Sequence, residues 1–201
     1  MLQAKALAAE RGGQRLFSDV SFQLQAGDLL HVSGCNGSGK TTLLRMLCGL
    51  TLPSTGDISW HQKDIASHRD EFNADLLYIG HRHGMHSDLS GLENLRLSAQ
   101  QQSNTAMLFA ALEDVGLGKH LEKPLRLLSQ GQQRRVALAR LLLESRQLWI
   151  LDEPLAALDV DAAEWFSQLL ASHLQRGGMA VVTTHQEASF ISHVSINVEL
   201  S

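Results

Sequence analysis

The sequence predicts an α/β fold with a helical block inserted into it, and three observations carry that prediction. A glycine-rich loop, Gly34-Cys35-Asn36-Gly37-Ser38-Gly39-Lys40-Thr41, fits G-x-x-x-x-G-K-[ST] at every fixed position and lies between a strand-like apolar run and a helical run. Beyond the loop, strands alternate with helices, the pattern of an α/β core. From about Leu89 to Leu143 the chain is helical in period with no strand candidate, so roughly residues 84–135 read as an insertion within that core.

The elements follow in order. Residues 2–9, 15–17 and 20–25 read as short strands, with Gly12-Gly13 as a turn. Residues 28–33 form the strand into the loop and 40–49 the helix out of it, capped by Gly49. Thr55–Trp60 is a strand introduced by the Pro53-Ser54-Thr55-Gly56 turn, and Leu76–Ile79 is a short apolar strand. Ser90-Gly91-Leu92-Glu93 resembles a capping box opening a helix over 90–100. A second helix covers 104–115 and stops near Gly116 and Gly118; a third covers Gln130–Leu143. The strand Leu148–Leu151, a helix over 161–175 stopped by Gly177-Gly178, the strand Ala180–Thr183 and a strand over 193–200 complete the chain.

A length of 201 residues suits one domain with a subdomain inside it, and 44% hydrophobic residues is ordinary for a globular protein. The net charge of −4 argues against a nucleic-acid partner. No apolar run approaches the ~18 residues of a membrane span. The start MLQAKALAAERGG meets Glu10 and Arg11 too early for a signal peptide, so the chain is expected on the cytoplasmic side, with any membrane role exercised through partners. A disulfide between Cys35 and Cys48 would distort the loop, which fits a reducing compartment.

The loop itself is a phosphate cradle. Its glycines let the backbone of Gly34, Cys35, Asn36, Gly37, Ser38 and Gly39 curl with N–H groups inward, and the helix start at Lys40, Thr41 and Thr42 adds partial positive charge. Lys40 supplies a full charge, and the Thr41 hydroxyl is a ligand for Mg²⁺. The run Leu148-Trp149-Ile150-Leu151-Asp152-Glu153 is a buried strand ending in two acids. Beside a phosphate loop, Asp152 is expected to hold Mg²⁺ through water and Glu153 to act as general base on the attacking water.

Leu128-Ser129-Gln130-Gly131-Gln132 resembles the LSGGQ signature of ATP-binding-cassette (ABC) ATPases, with Gln130 in place of the first glycine. Ser129 at the N-cap and the first N–H groups of its helix suit an anion. The resemblance spans essentially the whole chain, residues 1–201. It implies a single ABC-type nucleotide-binding domain of the P-loop NTPase class: a RecA-like core, an N-terminal antiparallel β subdomain and the inserted helical subdomain. It also implies ATP as the nucleotide, and a homodimer in which Ser129, Gln130, Gly131 and Gln132 meet the γ-phosphate on the other copy. Ala156-Ala157-Leu158-Asp159 matches the loop that crosses the dimer interface in that family, and His185, closing Thr183-Thr184-His185, matches the histidine that reports on the γ-phosphate.

Two positions depart from the family. His81, in Leu77-Tyr78-Ile79-Gly80-His81, stands where the family has a glutamine that reaches Mg²⁺ and the lytic water. An imidazolium beside Mg²⁺ would be repelled, so ATPase activity is expected to fall between about pH 7.5 and 6. His81→Gln should flatten that profile; an unchanged profile would sink the idea. Arg11 stands about where the family places an aromatic to stack on adenine; a guanidinium can stack instead, or Arg11 is a solvated turn residue. The run His81-Arg82-His83-Gly84-Met85-His86 holds atoms suited to iron, but its spacing fits no defined metal or haem site.

Within the family, the compact length, His81, the Arg11-Gly12 start and the run Asn36–Leu50 resemble the ATPase subunit of bacterial cytochrome c maturation systems, often described as haem exporters. That resemblance implies integral membrane partners, haem or a haem–chaperone protein as cargo, and a peripheral place on the cytoplasmic face of the inner membrane. A compact exporter ATPase with another cargo and a soluble ABC-type assembly factor are the alternatives.

Overall fold

Apolar runs in the sequence become the central strands. The structure, a computed structural model, describes residues 1–81, 84–98, 104–184 and 193–200. These form two compact units: Met1–Tyr78 with Arg146–Glu153 and Ser167–Ser201, and Ile79–Ser145 with Pro154–Phe166.

The first unit holds two sheets. One is antiparallel, in the order β2-β1-β4-β5, from β1 (Leu2–Arg11), β2 (Gln14–Leu24), β4 (Thr55–Trp60) and β5 (Lys63–Asp64). The other has the order β6-β7-β8-β3-β9, from β3 (Leu29–Gly34), β6 (Leu76–Ile79), β7 (Leu148–Asp152), β8 (Met179–Thr183) and β9 (Ile196–Leu200). In it β3 pairs in parallel with β8 and β9, and β7 with β8. Every residue of β7 and β8 is buried, which is why both read as continuous apolar runs without alternation. β9 lies at the sheet edge and alternates in burial. The helix α1 (Lys40–Leu47) follows β3 and buries Leu43, Leu44 and Leu47 in a core shared with Leu30, Ile150 and Val181.

The second unit is helical. Leu95 of α3 (Gly91–Ser98), Leu108 and Leu112 of α4 (Thr105–Asp114) and Val136 of α5 (Gln130–Leu143) share one buried cluster. The expected capping box is present: Ser90 Oγ accepts from the Glu93 N–H at 3.2 Å, and the Glu93 carboxylate accepts from the Ser90 N–H at 2.8 Å. α6 (Val160–Gln175) and β8 match the expected elements to within a residue. Among the described residues no helix is long and apolar enough to cross a membrane.

Two differences from the sequence reading have physical causes. Residues 14–24 form one strand, where two short ones were expected, because the polar Ser18-Asp19 pair is absorbed by a bulge. Asp19 takes φ 57° and the β1–β2 register shifts nearby. The segment between Trp60 and Leu76 carries β5 and the helix α2 (Arg69–Asp75), neither expected; α2 buries only Phe72, so it leaves no apolar period to read.

A buried histidine sits behind β7. The His173 ring stacks on Trp149 with centroids 3.7 Å apart and planes 5° from parallel, and its Nε2 donates to the Met179 carbonyl at 3.2 Å. Burial, first, holds the His173 pKa below its ordinary 6.5. The unfolded chain therefore binds a proton that the folded chain refuses, and stability is lost as pH falls below about 6.5. Denaturant titrations from pH 7.5 to 5.5 should show a shallower decline in a His173→Phe variant, which keeps a ring on Trp149; an equal decline would assign the acid sensitivity elsewhere.

Candidate active site

The phosphate loop closes on itself through short backbone and side-chain bonds. Lys40 is buried, and its ammonium donates to the carbonyls of Gly34 at 2.8 Å and Cys35 at 3.0 Å, which holds the charge inside the cradle. No side chain caps α1, whose N-cap Gly39 is left-handed, so the first-turn N–H groups remain for a ligand. Ser38 Oγ is buried and has no hydrogen-bond partner among the described residues. An uncapped helix start, an enclosed ammonium and an orphaned hydroxyl together form a donor set that an anion satisfies. Cys35, Asn36 and Gly37 are exposed at the rim, and Thr42 is half-buried.

Gly34 is required by geometry. It takes φ +143°, and a Cβ there would lie 2.4 Å from the Leu200 carbonyl oxygen and 2.6 Å from Ser38 Oγ.

Thr41 Oγ1 donates to Asp152 Oδ2 at 2.8 Å, so the loop threonine and the acid at the end of β7 are brought together as expected. A hydroxyl and a carboxylate at that separation are hard oxygen donors suited to a small divalent cation. The other carboxylate oxygen, Oδ1, accepts from Thr183 Oγ1 at 2.9 Å, and Thr183 Oγ1 in turn accepts from the Glu153 N–H at 2.9 Å. Asp152 and Thr183 are register partners across β7 and β8. Glu153 itself takes φ 52°, a left-handed conformation that costs a non-glycine residue about 1–3 kcal/mol and persists where its surroundings hold it. The Thr183 hydroxyl is one such hold. The sequence alone assigns Thr183 no role; its one signal is a hydroxyl at the end of the apolar run Ala180–Val182.

Removing that hydroxyl tests the bridge. Thr183→Val should lower stability by about 1–3 kcal/mol, the cost of a lost buried hydrogen bond, and should slow turnover, whereas Thr183→Ser should retain both. Thermal melting and phosphate release from the purified variants decide the matter; a Val variant with native melting and rate would remove Thr183 from the site.

In the helical unit, Ser129 caps α5. Its Oγ accepts from the Gln132 N–H at 3.2 Å, and Gln132 Oε1 accepts from the Ser129 N–H at 3.0 Å, a closed capping box. The Ser129 hydroxyl is thus committed as an acceptor, and only its proton remains for an anion. Gln130 is exposed, which explains why a side chain replaces glycine there at no steric cost. Gly131 has no such freedom: a Cβ would lie 2.3 Å from the Ala157 carbonyl oxygen, so the signature and the 156–159 loop touch through bare backbone. Asp159 Oδ1 caps α6 by accepting from the Ala162 N–H at 3.0 Å, and Oδ2 pairs with Arg135.

His81 is exposed in this unit; Arg82 and His83, parts of the histidine run, lie outside the described residues, as does His185. Arg11 is exposed at the end of β1, opposite Gln14, beside the Gly12-Gly13 turn. A surface hollow in the first unit is lined by Arg15, Phe17 and Glu199 among others, and Arg11 is not part of its wall. Cys48 is buried, and burial pushes its thiol pKa far up, so it stays a thiol.

Comparison with known proteins places this arrangement. The family described as ABC transporter matches residues 17–156, and the chain belongs to it: it is an ATP-binding-cassette ATPase. Within the family it groups with proteins named cytochrome c biogenesis ATP-binding export protein CcmA. The one from Dechloromonas aromatica (strain RCB) is 49% identical over 192 residues, covering 94% of this chain and 94% of that protein. That of Pseudomonas aeruginosa is 47% identical over 190 residues, covering 93% and 94%. That of Escherichia coli (strain K12) is 45% identical over 186 residues, covering 92% and 89%. Among solved structures, a putative ABC transporter ATP-binding protein from Pyrococcus furiosus superposes with a TM-score of 0.83 at 25% identity, covering 99% of this chain and 96% of that one. An ATP-binding cassette described as a dimeric post-hydrolysis state bound to ADP and Pi matches with a TM-score of 0.83 at 22% identity, covering 100% and 94%; at that identity the likeness speaks for the fold alone. The expected fold class and family are borne out.

Proposed function

We propose that the chain is the ATP-hydrolysing subunit of a membrane complex in cytochrome c biogenesis, with haem or a haem–chaperone protein as its cargo. The observation that carries this reading is the 45–49% identity to the cytochrome c biogenesis export proteins over 92–94% of the chain. The whole chain acts as one cassette, with roughly residues 84–135 as its helical subdomain. It lies on the cytoplasmic face of the inner membrane, bound to integral membrane subunits.

Two copies work head to tail. The loop from Gly34 to Thr42 of one copy holds the phosphates, with Arg11 near the base. The Ser129 hydroxyl proton and the N–H groups of Gln130 and Gly131 of the other copy meet the γ-phosphate, Gln132 holds Ser129 in place through the capping box, and Asp159 contacts the facing copy across the interface. Lys40 neutralises phosphate charge where it builds up in the transition state. Thr41 and Asp152 are the residues that would hold Mg²⁺, which would supply further charge neutralisation to the phosphates. Glu153 accepts the proton of the attacking water, His81 hydrogen-bonds near it, and His185 aligns the γ-phosphate. The γ-phosphate links the copies before hydrolysis and not after it, so each turnover closes and opens the pair.

The test is to express Glu153→Gln, purify it from membranes in mild detergent with Mg-ATP, identify co-purifying proteins by mass spectrometry and record a haem absorption spectrum. Multi-span partners with a haem-binding protein are expected. Recovery from the soluble fraction alone would overturn the membrane reading.

A further inference from the structure

Arg134 is 2% exposed and buried on α5, one turn beyond Gln130. An arginine is seldom buried unless its donors are used. Here Nε donates to the Pro154 carbonyl and Nη1 to the Gly80 carbonyl, both at 3.2 Å. Neither acceptor is arbitrary. Pro154 follows Glu153 directly and Gly80 precedes His81 directly. Both acceptors lie within two residues of places where the chain passes from one compact unit to the other, between Tyr78 and Ile79 and between Glu153 and Pro154. The next residue, Arg135, pairs with Asp159 at the start of α6. Two adjacent arginines on the helix opened by the signature thus grip three segments that carry candidate active-site residues.

We propose that Arg134 is a positioning residue for ATP hydrolysis, tying the peptide that follows Glu153 and the segment that carries His81 to the signature helix α5. A guanidinium is suited to this because its rigid planar fork directs separate nitrogens at two acceptors; a lysine ammonium is one point with flexible reach. A shift of α5 on engaging a nucleotide is passed by this fork to both segments, so the signature helix and the alignment of Glu153 are coupled. The inference rests on the reading of Glu153 as general base.

The test is a double-mutant cycle on the full chain, measuring kcat, KM and nucleotide affinity by steady-state and single-turnover phosphate release. Arg134→Gln should lower kcat by about tenfold, as misplacement of a catalytic group does, and leave KM and nucleotide affinity within about twofold. In a Glu153→Gln background the same substitution should cost less than about threefold, because the group it positions is gone. Arg134→Lys should lose about as much as Arg134→Gln. An equal loss in both backgrounds, a loss carried by KM, or full activity in Arg134→Gln overturns the inference while leaving the role of Glu153 intact. Normal turnover in Glu153→Gln alone overturns both. If Arg134→Gln does not fold, Arg134→Lys is carried through the same cycle, and failure of both to fold assigns Arg134 to the core and overturns the proposal.

Discussion

Glu153→Gln is expected to lower ATP turnover by roughly 10²–10³-fold while leaving nucleotide binding intact, the size of effect that follows from removing a general base. The substitution is nearly isosteric. It leaves the left-handed backbone at Glu153 and the bond from its N–H to Thr183 in place. It also leaves Lys40 seated on the Gly34 and Cys35 carbonyls and Thr41 bonded to Asp152. What it removes is the ability to take a proton. The expected signature is therefore a fall in kcat with an unchanged dissociation constant, and a longer-lived ATP-bound dimer visible by size-exclusion chromatography in Mg-ATP. A fall of less than tenfold would mean that another group accepts the proton, and a parallel loss of binding would place Glu153 on the ground-state nucleotide instead.

Gly34→Ala is expected to weaken ATP binding by at least about tenfold and to destabilise the fold by roughly 1–3 kcal/mol, from the combined strain of backbone and overpacking. Its φ of +143° is one that L-residues rarely adopt, and the new methyl would meet the Leu200 carbonyl oxygen at 2.4 Å. That carbonyl cannot simply retreat, because Gly34 and Leu200 are register partners of β3 and β9 in the parallel sheet. The other contact, Ser38 Oγ at 2.6 Å, belongs to a side chain that rotates, but its rotation disturbs the cradle it helps to form. Titration with a fluorescent ATP analogue and thermal melting read the two effects separately. At this chain length a loss of 1 kcal/mol corresponds to about 2–4 °C in Tm. Native affinity in the variant would show that the end of β3 yields more than its pairing implies.

The phosphate cradle was legible because its causes are local. Glycines at the turns, the apolar run into β3 and the helical run out of it are all neighbours in the chain, and local conformation is what residue type dictates. The Ser90–Glu93 box was legible for the same reason, since both of its bonds close within four residues. The short elements β5 and α2 escaped because a two-residue strand and a helix burying Phe72 alone carry almost no pattern. Gln133-Arg134-Arg135 looks like the solvated start of a helix, and nothing in those letters separates Arg134, 2% exposed, from its partly exposed neighbours.

By itself the sequence pointed to a phosphate cradle at 34–41, to an apolar run closed by the acids Asp152 and Glu153, and to a helix opened by Ser129. Each of these depends on residues within a few positions of one another. Only the tertiary structure decided that Thr183 joins Asp152 to Glu153, because that bridge exists through the parallel register of two strands about thirty residues apart in sequence. Only it decided that Gln130 is free to be a glutamine while Gly131 must be a glycine, because the Ala157 carbonyl that forbids a side chain arrives from a distant loop. The difference is physical: backbone conformation is set by near neighbours, whereas burial and hydrogen-bond partners are set by whichever segments the packed core brings alongside.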